Sequence, residues 1–417
     1  MTGDAGPGGN APARADALDT RLVHLGPPPG QQFGYVNPPV YRGSTALYDG
    51  PAGLRRTQAD PLKRDLPAYG RFGTPTVRAF EAALSTLEGG HAAVVTCSGL
   101  AAITTAVLAF VRSGDHVLVS DSVYPPTRRF CDSLEAFGIS TQYYDPCLGS
   151  GIERLLRPNT RLVYLESPGS GTFEVMDVPA VTQACRRRDV TTIVDNTWAT
   201  PFFCRPIGLG ADVVVHSASK YLAGHADIVL GAVVATEESY PAVRRAAIRL
   251  GQYAGPDDAY LALRGLRTLG VRMRQHERSA LELARWLSSR PEVSDVVHPA
   301  LDHHPGHLIW KRDFSGAAGP FGLLLHPRFD ERQVAAMLQH LRLFGLGYSW
   351  GGYESLIVPS DPGVRVGGDW PRPGTLLRVH VGMEDVEDLK ADLRGALAAL
   401  RSADEDVRSP GPTPSTV

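Results

Sequence analysis

Short apolar strands and amphipathic helices alternate along the chain from Gly70 onwards. Runs of four to seven residues rich in Val, Ile and Leu predict strands, and stretches with a 3.6-residue apolar period predict helices. Strands that are apolar on both faces are typical of a mostly parallel sheet that is covered on both sides. The predicted strands are 92–97, 116–121, 141–145, 162–166, 192–195, 212–216 and 229–235, and the predicted helices are 75–88, 99–112, 126–137 and 178–188.

A different order of elements follows Gly255. A long helical stretch runs to about Arg290, and strands at 294–298, 321–326, 355–359 and 376–381 then interleave with helices at 330–340 and 385–400. The repeated βα units predict a large doubly wound α/β domain, and the later elements predict a smaller α+β domain. Two domains also suit a chain of 417 residues, which is too long for a single core. We assign 69–262 to the large domain and 263–402 to the small domain.

The two ends of the chain lack this pattern. Residues 1–17 and 403–417 are rich in Gly, Pro, Ala and Ser without periodicity, so we expect disordered tails. Residues 18–68 are rich in Pro and Gly, with short extended pieces such as Asn37–Tyr41. Such a segment has little core of its own, and we expect an arm that contacts a partner subunit.

Composition and charge exclude several classes of protein. The formal net charge is −2 with 43% apolar residues, which gives no basic surface for nucleic acid. Apolar runs such as 101–111 are too short to span a bilayer, and the N-terminus shows no secretion signal. The five Cys form no CxxC pair, which argues against a disulfide framework or a structural zinc site. We expect a cytoplasmic protein with no nucleic-acid or membrane partner.

Lys220 is one of only four lysines in the chain, beside Lys63, Lys311 and Lys390. It follows the predicted strand 212–216 at the strand end, where α/β proteins bind ligands. An isolated lysine in such a place is usually a surface residue. The hydroxyls of Ser217 and Ser219 favour another interpretation, in which they bind a phosphate while the amine forms an imine.

An acid and a turn of small residues complete the candidate chemistry. Asp195 ends the predicted strand 192–195. An Asp in such a place is often a helix cap. The other interpretation is a cofactor ligand, because a pyridoxal cofactor needs a carboxylate opposite its ring nitrogen. Ser98-Gly99-Leu100 opens a helix after strand 92–97, and free backbone N–H groups there suit a phosphate, although small residues also serve ordinary packing. The motifs GxGxxG and GxxxxGK[ST] are absent, which argues against nicotinamide cofactors and nucleoside triphosphates.

Four sequence blocks, taken in order, resemble the Cys/Met-metabolism pyridoxal-phosphate enzymes. The resemblance runs from about Thr20 to about Leu400, and the family includes cystathionine β-lyase, cystathionine γ-synthase, cystathionine γ-lyase and methionine γ-lyase. Within it, 348–356 (YSWGGYESL) is similar to the bacterial β-lyases. The blocks are Tyr69-Gly-Arg71 with Thr74-Pro-Thr76, Ser98-Gly-Leu-Ala-Ala102, Val194-Asp-Asn-Thr-Trp198, and Ser217-Ala-Ser-Lys-Tyr221 with Gly224-His225.

The resemblance implies a fold and a set of roles. The fold is that of fold type I (aspartate-aminotransferase-like) enzymes, and the cofactor is pyridoxal 5'-phosphate, bound to Lys220, which later moves the Cα proton of the substrate. Asp195 pairs with the ring nitrogen, Tyr124 stacks on the ring, and Arg378 receives the substrate carboxylate. Ser349 and Trp350 lie beside Cα. The phosphate is held by Ser98, Gly99, Leu100, Ser217 and Ser219, joined by Tyr69 and Arg71 from a neighbouring subunit of a homotetramer built as a dimer of dimers.

The reaction implied is an α,β-elimination on an amino-acid thioether. L-cystathionine would give homocysteine, pyruvate and ammonia. Three alternatives stay open: a lyase for another cysteine conjugate in natural-product sulfur metabolism, a γ-acting enzyme, and a non-catalytic relative. The γ-acting branches usually have a smaller residue where Trp350 stands, although a plain core tryptophan is another interpretation of that residue.

Overall fold

A seven-stranded sheet forms the larger part of the protein, for which a computed structural model describes residues 16–28, 30, 33–59, 69–363, 365–366 and 372–408. Its strands are β1 (Ala92–Thr96), β2 (His116–Ser120), β3 (Ser140–Tyr144), β4 (Thr160–Glu166), β5 (Thr191–Asp195), β6 (Val213–Ser217) and β7 (Gly231–Ala235). They lie in the order β1-β7-β6-β5-β4-β2-β3. β7 runs antiparallel to β1 and β6, and the other pairs are parallel. The predicted mostly parallel sheet is confirmed.

Helices cover both faces of this sheet. Val213 and Val215 face one apolar cluster, and Val214 faces the other. Alternate residues of a strand point to opposite faces, so a strand buried on both sides is apolar throughout. The α-helices are α1 (Leu18–Val23), α2 (Gly50–Ala59), α3 (Pro75–Glu88), α4 (Gly99–Phe110), α5 (Pro125–Ser133), α6 (Val178–Arg186), α7 (Thr200–Phe203), α8 (Tyr240–Arg249), α9 (Pro256–Arg267), α10 (Leu269–Ser288), α11 (His307–Asp313), α12 (Glu331–His340) and α13 (Val386–Arg408).

A second, smaller sheet follows in the C-terminal part. Its strands are β8 (Val293–Val297), β9 (Pro320–Leu325), β10 (Gly345–Leu346), β11 (Leu356–Pro359) and β12 (Leu376–His380). They lie in the order β10-β11-β12-β9-β8, antiparallel except for the pair of β10 and β11. Leu283 of α10, Met337 of α12 and Leu393 of α13 belong to the apolar cluster of this sheet. This is the predicted α+β arrangement, and the predicted division between residues 262 and 263, which falls within α9, stays a prediction.

The predicted helical stretch from Gly255 to Arg290 is two helices. α9 and α10 meet at Thr268, whose backbone has φ −106° and ψ 6°. Its hydroxyl donates to the Gly265 carbonyl at 3.2 Å and accepts from Arg272 Nε at 3.2 Å. A threonine hydroxyl that bonds the preceding turn competes with the helical backbone pattern. The apolar period continues across Thr268, so the sequence pattern gave no sign of the break between the two helices.

The arm and the C-terminus also depart from expectation. The segment 18–68 was expected to be an arm with short extended pieces, and it also holds the helices α1 and α2, which were not predicted. It also packs on its own chain, because Arg267 Nη2 donates to the Leu25 carbonyl at 3.1 Å. The last helix reaches Arg408 and so includes the first residues of the predicted tail 403–417. Helices α8 and α11 were not predicted. The predicted N-terminal tail, 1–17, lies outside the described residues except for Asp16 and Ala17.

Six strands of the large sheet, β1 to β6, run in one direction. Their carboxyl ends therefore lie along one edge, and the segments that follow them meet there. Those segments carry residues 97–100, 121–124, 166, 195 and 217–220. None of the helices in the described part of the chain combines the length and apolar character that a membrane span requires.

Candidate active site

Lys220 lies in the turn after β6, and its amine reaches the C-terminal part of the chain. Nζ donates to the Ser349 hydroxyl at 2.5 Å and lies 5.6 Å from the centroid of the Trp350 ring. Burial and, to a smaller extent, the charge of the nearby Arg378 together lower the pKa of Lys220 from 10.5 to about 8. Near neutral pH a larger share of this amine is therefore unprotonated than in an ordinary lysine.

The 349–352 turn presses against the backbone of Lys220. Ser349 has φ +86° and Gly351 has φ +83°. The left-handed conformation costs a residue such as Ser349 on the order of 1–3 kcal/mol and persists only where its surroundings enforce it. A Cβ on Gly351 would lie 2.8 Å from the Tyr221 nitrogen and 3.1 Å from the Lys220 carbonyl carbon. Only glycine fits there, and the turn holds the Ser349 hydroxyl next to the amine.

Arg378 supplies a cation on the other side of the same turn. It lies on β12, and its Nη2 donates to the Ser349 carbonyl at 3.1 Å. Burial lowers its pKa, and Tyr124 lies near enough to act against that shift. In the part of the chain that the structure describes, no carboxylate pairs with this guanidinium. A partly buried guanidinium with free N–H groups is a receptor for a carboxylate ligand.

Two buried carboxyl groups lie side by side at the edge of the large sheet. Glu166 and Asp195 end β4 and β5 and are paired in register. Asp195 accepts from the Thr197 amide at 2.9 Å and from the Tyr164 hydroxyl at 3.3 Å. Burial raises the pKa of both groups, and the charge of Asp195 raises that of Glu166 further. The pair therefore favours one shared negative charge, which we place on Asp195 because its charge raises the pKa of Glu166, whereas burial alone raises the pKa of Asp195.

Tyr124 precedes α5 in the segment after β2. Its backbone N–H donates to Glu166 Oε2 at 2.7 Å, and Glu166 also accepts from the Ser170 hydroxyl. The Tyr124 side chain is 44% exposed, so its ring is not part of the core. Glu166 thus ties the Tyr124 segment to the strand end beside Asp195.

The turn before α4 forms a narrow cradle against β6. A Cβ on Gly99 would lie 2.6 Å from Ser217 Cβ, so only glycine allows this approach. The Ser98 hydroxyl caps the Ala101 amide at 3.1 Å, whereas the amides of Gly99 and Leu100 have no acceptor among the described residues. Unpaired amides at a helix N-terminus suit an anion.

Three of the residues that were predicted to hold the phosphate fit that prediction less directly, namely Ser219, Tyr69 and Arg71. The Ser219 hydroxyl donates to the Leu230 carbonyl at 3.2 Å and accepts from the Leu230 amide at 2.8 Å. Its hydrogen bonds therefore already stabilise the turn that follows β6. Tyr69 and Arg71 are exposed. Arg71 Nη1 lies 3.5 Å from the Ile248 carbonyl of α8, and no described contact joins either residue to Lys220 within one chain. Their predicted place is in the site of a neighbouring subunit.

Sequence reasoning missed several residues that shape the site. Glu166 ends a predicted strand, as Asp195 does, so the rule that selected Asp195 would also have selected it. Arg365 binds Asp121, three residues before Tyr124, at 3.1 Å and Glu174 at 2.9 Å. It connects the segment between β11 and β12 to the Tyr124 segment, and no local pattern in the sequence reveals such a long-range pair.

Known proteins are similar to this chain over most of its length. A family model described as "Cys/Met metabolism PLP-dependent enzyme" matches residues 19–398. Escherichia coli cystathionine beta-lyase is 41% identical over 390 residues, 92% of this chain and 98% of the relative. A Rhizobium johnstonii protein, provisionally named as a cystathionine beta-lyase, is 45% identical over 386 residues, 92% of this chain and 96% of its own.

The fold also matches a solved structure. The crystal structure of metB from Corynebacterium glutamicum superposes with a TM-score of 0.83 at 31% identity, covering 92% of this chain and 98% of that one. Other relatives, each matched over 91% of this chain, are named cystathionine gamma-synthase and L-alanine/L-glutamate racemase. The matching proteins thus share a fold and differ in the activities that they are named for.

Proposed function

The chain belongs to the Cys/Met-metabolism pyridoxal-phosphate-dependent enzymes, and within that family we propose that it is a carbon–sulfur lyase of the cystathionine β-lyase type. It cleaves the Cβ–S bond of L-cystathionine, or of a related cysteine S-conjugate, to a thiol, pyruvate and ammonia. One arrangement carries the proposal: the Lys220 amine donates to the Ser349 hydroxyl and lies 5.6 Å from the centroid of the Trp350 ring, and Arg378 donates to the Ser349 carbonyl.

The residues present fit pyridoxal phosphate, the cofactor of this family. The unpaired amides of Gly99 and Leu100, with the Ser98 and Ser217 hydroxyls beside them, suit the phosphate. Ser219 stabilises the turn after β6, which carries Lys220. Asp195, buried in a pair that favours one negative charge, suits a protonated ring nitrogen. Tyr124 offers an exposed aromatic face. Lys220, with its pKa lowered to about 8, is the amine to which the aldehyde attaches. When bound, the cofactor supplies the sink for the electrons released at Cα.

The protein's own groups orient the substrate and move protons. Arg378 binds the substrate carboxylate through two parallel N–H groups, which fixes the direction of the Cα–H bond. Once the substrate amine has replaced the Lys220 amine at the aldehyde, the free Lys220 amine would remove the Cα proton. The thiolate leaves from Cβ with the electrons of the C–S bond and takes up a proton. The remaining aminoacrylate hydrolyses to pyruvate and ammonia.

Trp350 distinguishes β-elimination from γ-elimination. A γ-elimination needs a second proton removal, at Cβ, and a longer movement of the substrate side chain. An indole whose centroid lies 5.6 Å from Lys220 Nζ restricts that movement and favours early loss of the Cβ substituent. A γ-acting enzyme is therefore the weaker candidate. A different cysteine S-conjugate as substrate fits the same residues as L-cystathionine does.

The active enzyme is proposed to be a homotetramer built from two dimers. Tyr69 and Arg71 are exposed, and they follow an arm that carries exposed apolar side chains, including Phe33, Tyr35 and Leu47. Exposed apolar groups of this kind mark an interface, and a symmetric dimer places two equivalent sites at one interface. Tyr69 and Arg71 would then complete the phosphate site of the partner.

Substrate profiling tests the proposed activity. Pyruvate release is measured for L-cystathionine and for a panel of cysteine thioethers of increasing size. We expect L-cystathionine or one close analogue to give the highest kcat/KM, with equal amounts of thiol and pyruvate. Release of pyruvate from none of these compounds by the cofactor-loaded protein would reject the lyase assignment.

A further inference from the structure

His380 lies at the end of β12, two residues beyond Arg378, and its side chain contacts the 349–352 turn. Its side chain is fully buried. The Gly351 amide donates to His380 Nε2 at 3.0 Å. Gly351 is also the residue whose backbone presses on Lys220 and Tyr221. The imidazole therefore supports the turn that carries Ser349 and Trp350.

The contact with Gly351 defines the tautomer of His380. Nε2 also lies 3.3 Å from the Gly352 carbonyl, and one ring nitrogen does not accept from the first group while it donates to the second. A hydrogen on Nε2 would point at the Gly351 N–H at the shorter distance, so Nε2 accepts and the proton is on Nδ1. Burial holds the pKa of His380 well below 6.5, and His276, Arg378 and Lys220 lower it further, so the ring is neutral.

A second buried histidine has the complementary tautomer. His276 of α10 donates from Nδ1 to the Val381 carbonyl at 2.8 Å, which leaves its Nε2 as an acceptor. Neither this nitrogen nor His380 Nδ1 has a hydrogen-bond partner among the described residues. The two ring centroids are 5.4 Å apart. The structure therefore leaves the His380 Nδ1–H without a partner among the described residues, and the contact with the Gly351 amide alone assigns the tautomer.

We propose that His380 is a positioning residue: as the Nδ1–H tautomer it accepts from the Gly351 amide and fixes the 349–352 turn against Lys220. Its hydrogen bond sets where the Ser349 hydroxyl and the Trp350 ring stand relative to the Lys220 amine. Tyr221 completes the support, with ring centroids 5.5 Å from Trp350 and 6.0 Å from His380. The roles given to Ser349 and Trp350 rest on the proposed function, whereas the support of the turn does not.

Two variants of similar length separate the hydrogen bond from the volume of the side chain. In His380→Gln the amide oxygen takes the place of Nε2 and keeps an acceptor for Gly351. In His380→Met the chain has a similar length and no comparable acceptor. His380→Asn, with an oxygen too short to reach Gly351, replaces the Met variant if that one does not fold, as judged by its thermal unfolding.

Amide hydrogen exchange of the cofactor-loaded protein measures directly how firmly the backbone of the 349–352 turn is held. We expect peptides spanning 349–353 to exchange at least about tenfold faster in His380→Met than in the unchanged protein, because a hydrogen bond of ordinary strength is lost. His380→Gln should stay within about threefold of the unchanged protein. Equal exchange in the Gln and Met variants (or in the Gln and Asn variants), whether slow or fast, overturns the inference.

Steady-state kinetics of pyruvate formation supply a second test of the positioning role. We expect kcat for pyruvate formation to fall about 10–100-fold in His380→Met and to recover largely in His380→Gln, because small misplacements of reacting groups cost large factors in rate. KM should change less, because Arg378 is retained. Equal kcat values in the two variants contradict the positioning role. If the unchanged protein forms no pyruvate, the proposed function fails, and the exchange result still decides the inference about His380.

Discussion

The Lys220 amine donates a hydrogen bond of 2.5 Å to the Ser349 hydroxyl. The bond joins the end of a strand in the large sheet to a strained turn that precedes β11 of the small sheet. The site is therefore assembled by both parts of the chain. The partly buried amine of Lys220 and the guanidinium of Arg378 both donate to Ser349, whose backbone is left-handed. Such an arrangement is costly to hold together, and such costs concentrate at functional sites.

The partly buried amine of Lys220 should destabilise the cofactor-free protein. Its pKa is lowered to about 8 in the folded chain from 10.5, so the unfolded chain binds more protons between these values and stability rises with pH there. We expect Lys220→Met to stabilise the cofactor-free protein at pH 7 by up to about 3 kcal/mol, with the gain vanishing near pH 10.5. Urea unfolding at both pH values measures it. The exposed Lys311→Met is the control, and a loss of stability in Lys220→Met at pH 7 contradicts the assignment.

Cofactor attachment should be confined to Lys220. The purified protein should be yellow, and borohydride reduction followed by peptide mapping should find the label on Lys220. Lys390 is held as a cation by Glu282 and Glu387, which raise its pKa, and Lys311 is exposed. Label on either of them, or on Lys63, which lies outside the described residues, would show that the attachment site is misassigned.

The two neighbouring carboxyl groups should respond differently to neutral replacements. A glutamine at 166 imitates a protonated Glu166, whose pKa is raised by burial and by Asp195, so Glu166→Gln should change kcat/KM at pH 7 by less than about tenfold. Asp195→Asn removes the charge opposite the ring nitrogen and should lower kcat/KM by at least about 100-fold. Steady-state assays at pH 7 compare the two. Similar losses in both variants would mean that the charge is not confined to Asp195.

Sites shared between subunits should be detectable by mixing inactive proteins. Arg71→Ala and Lys220→Ala each damage a different part of the proposed shared site. After subunit exchange, hybrid dimers contain one intact site, so activity should return to at most about a quarter of that of the unchanged protein. Exchange is verified by mass spectrometry of differently tagged chains. Hybrids that form without any return of activity would exclude the shared site.

The sequence predicted the parts of the structure that local patterns encode. Apolar runs located most strands of the large sheet, and strand ends pointed to Asp195 and Lys220. The family blocks added Arg378, Ser349 and Trp350, which the structure brings together around Lys220. Arg378 lies within a predicted strand, whereas Ser349 and Trp350 lie in a turn that only the resemblance to the family singled out.

The parts that were missed depend on long-range contacts or on single side chains. The break at Thr268 follows from one hydroxyl that bonds the preceding turn. The links from Arg365 to Asp121 and from Gly351 to His380 join residues far apart in the chain. No periodicity records such pairs, because they exist only when the two sheets are in place.

The identity of the keto acid formed from L-cystathionine tests the central claim most directly. Because the Trp350 ring stands beside the Lys220 amine, we expect pyruvate as the dominant product, and Trp350→Ala should lower its rate by at least about tenfold through loss of the reactive geometry. Chromatography of the derivatised keto acids separates pyruvate from 2-oxobutyrate in a single run. Predominant pyruvate is the result that this account predicts, and predominant 2-oxobutyrate would contradict it and place the chain among the γ-acting enzymes.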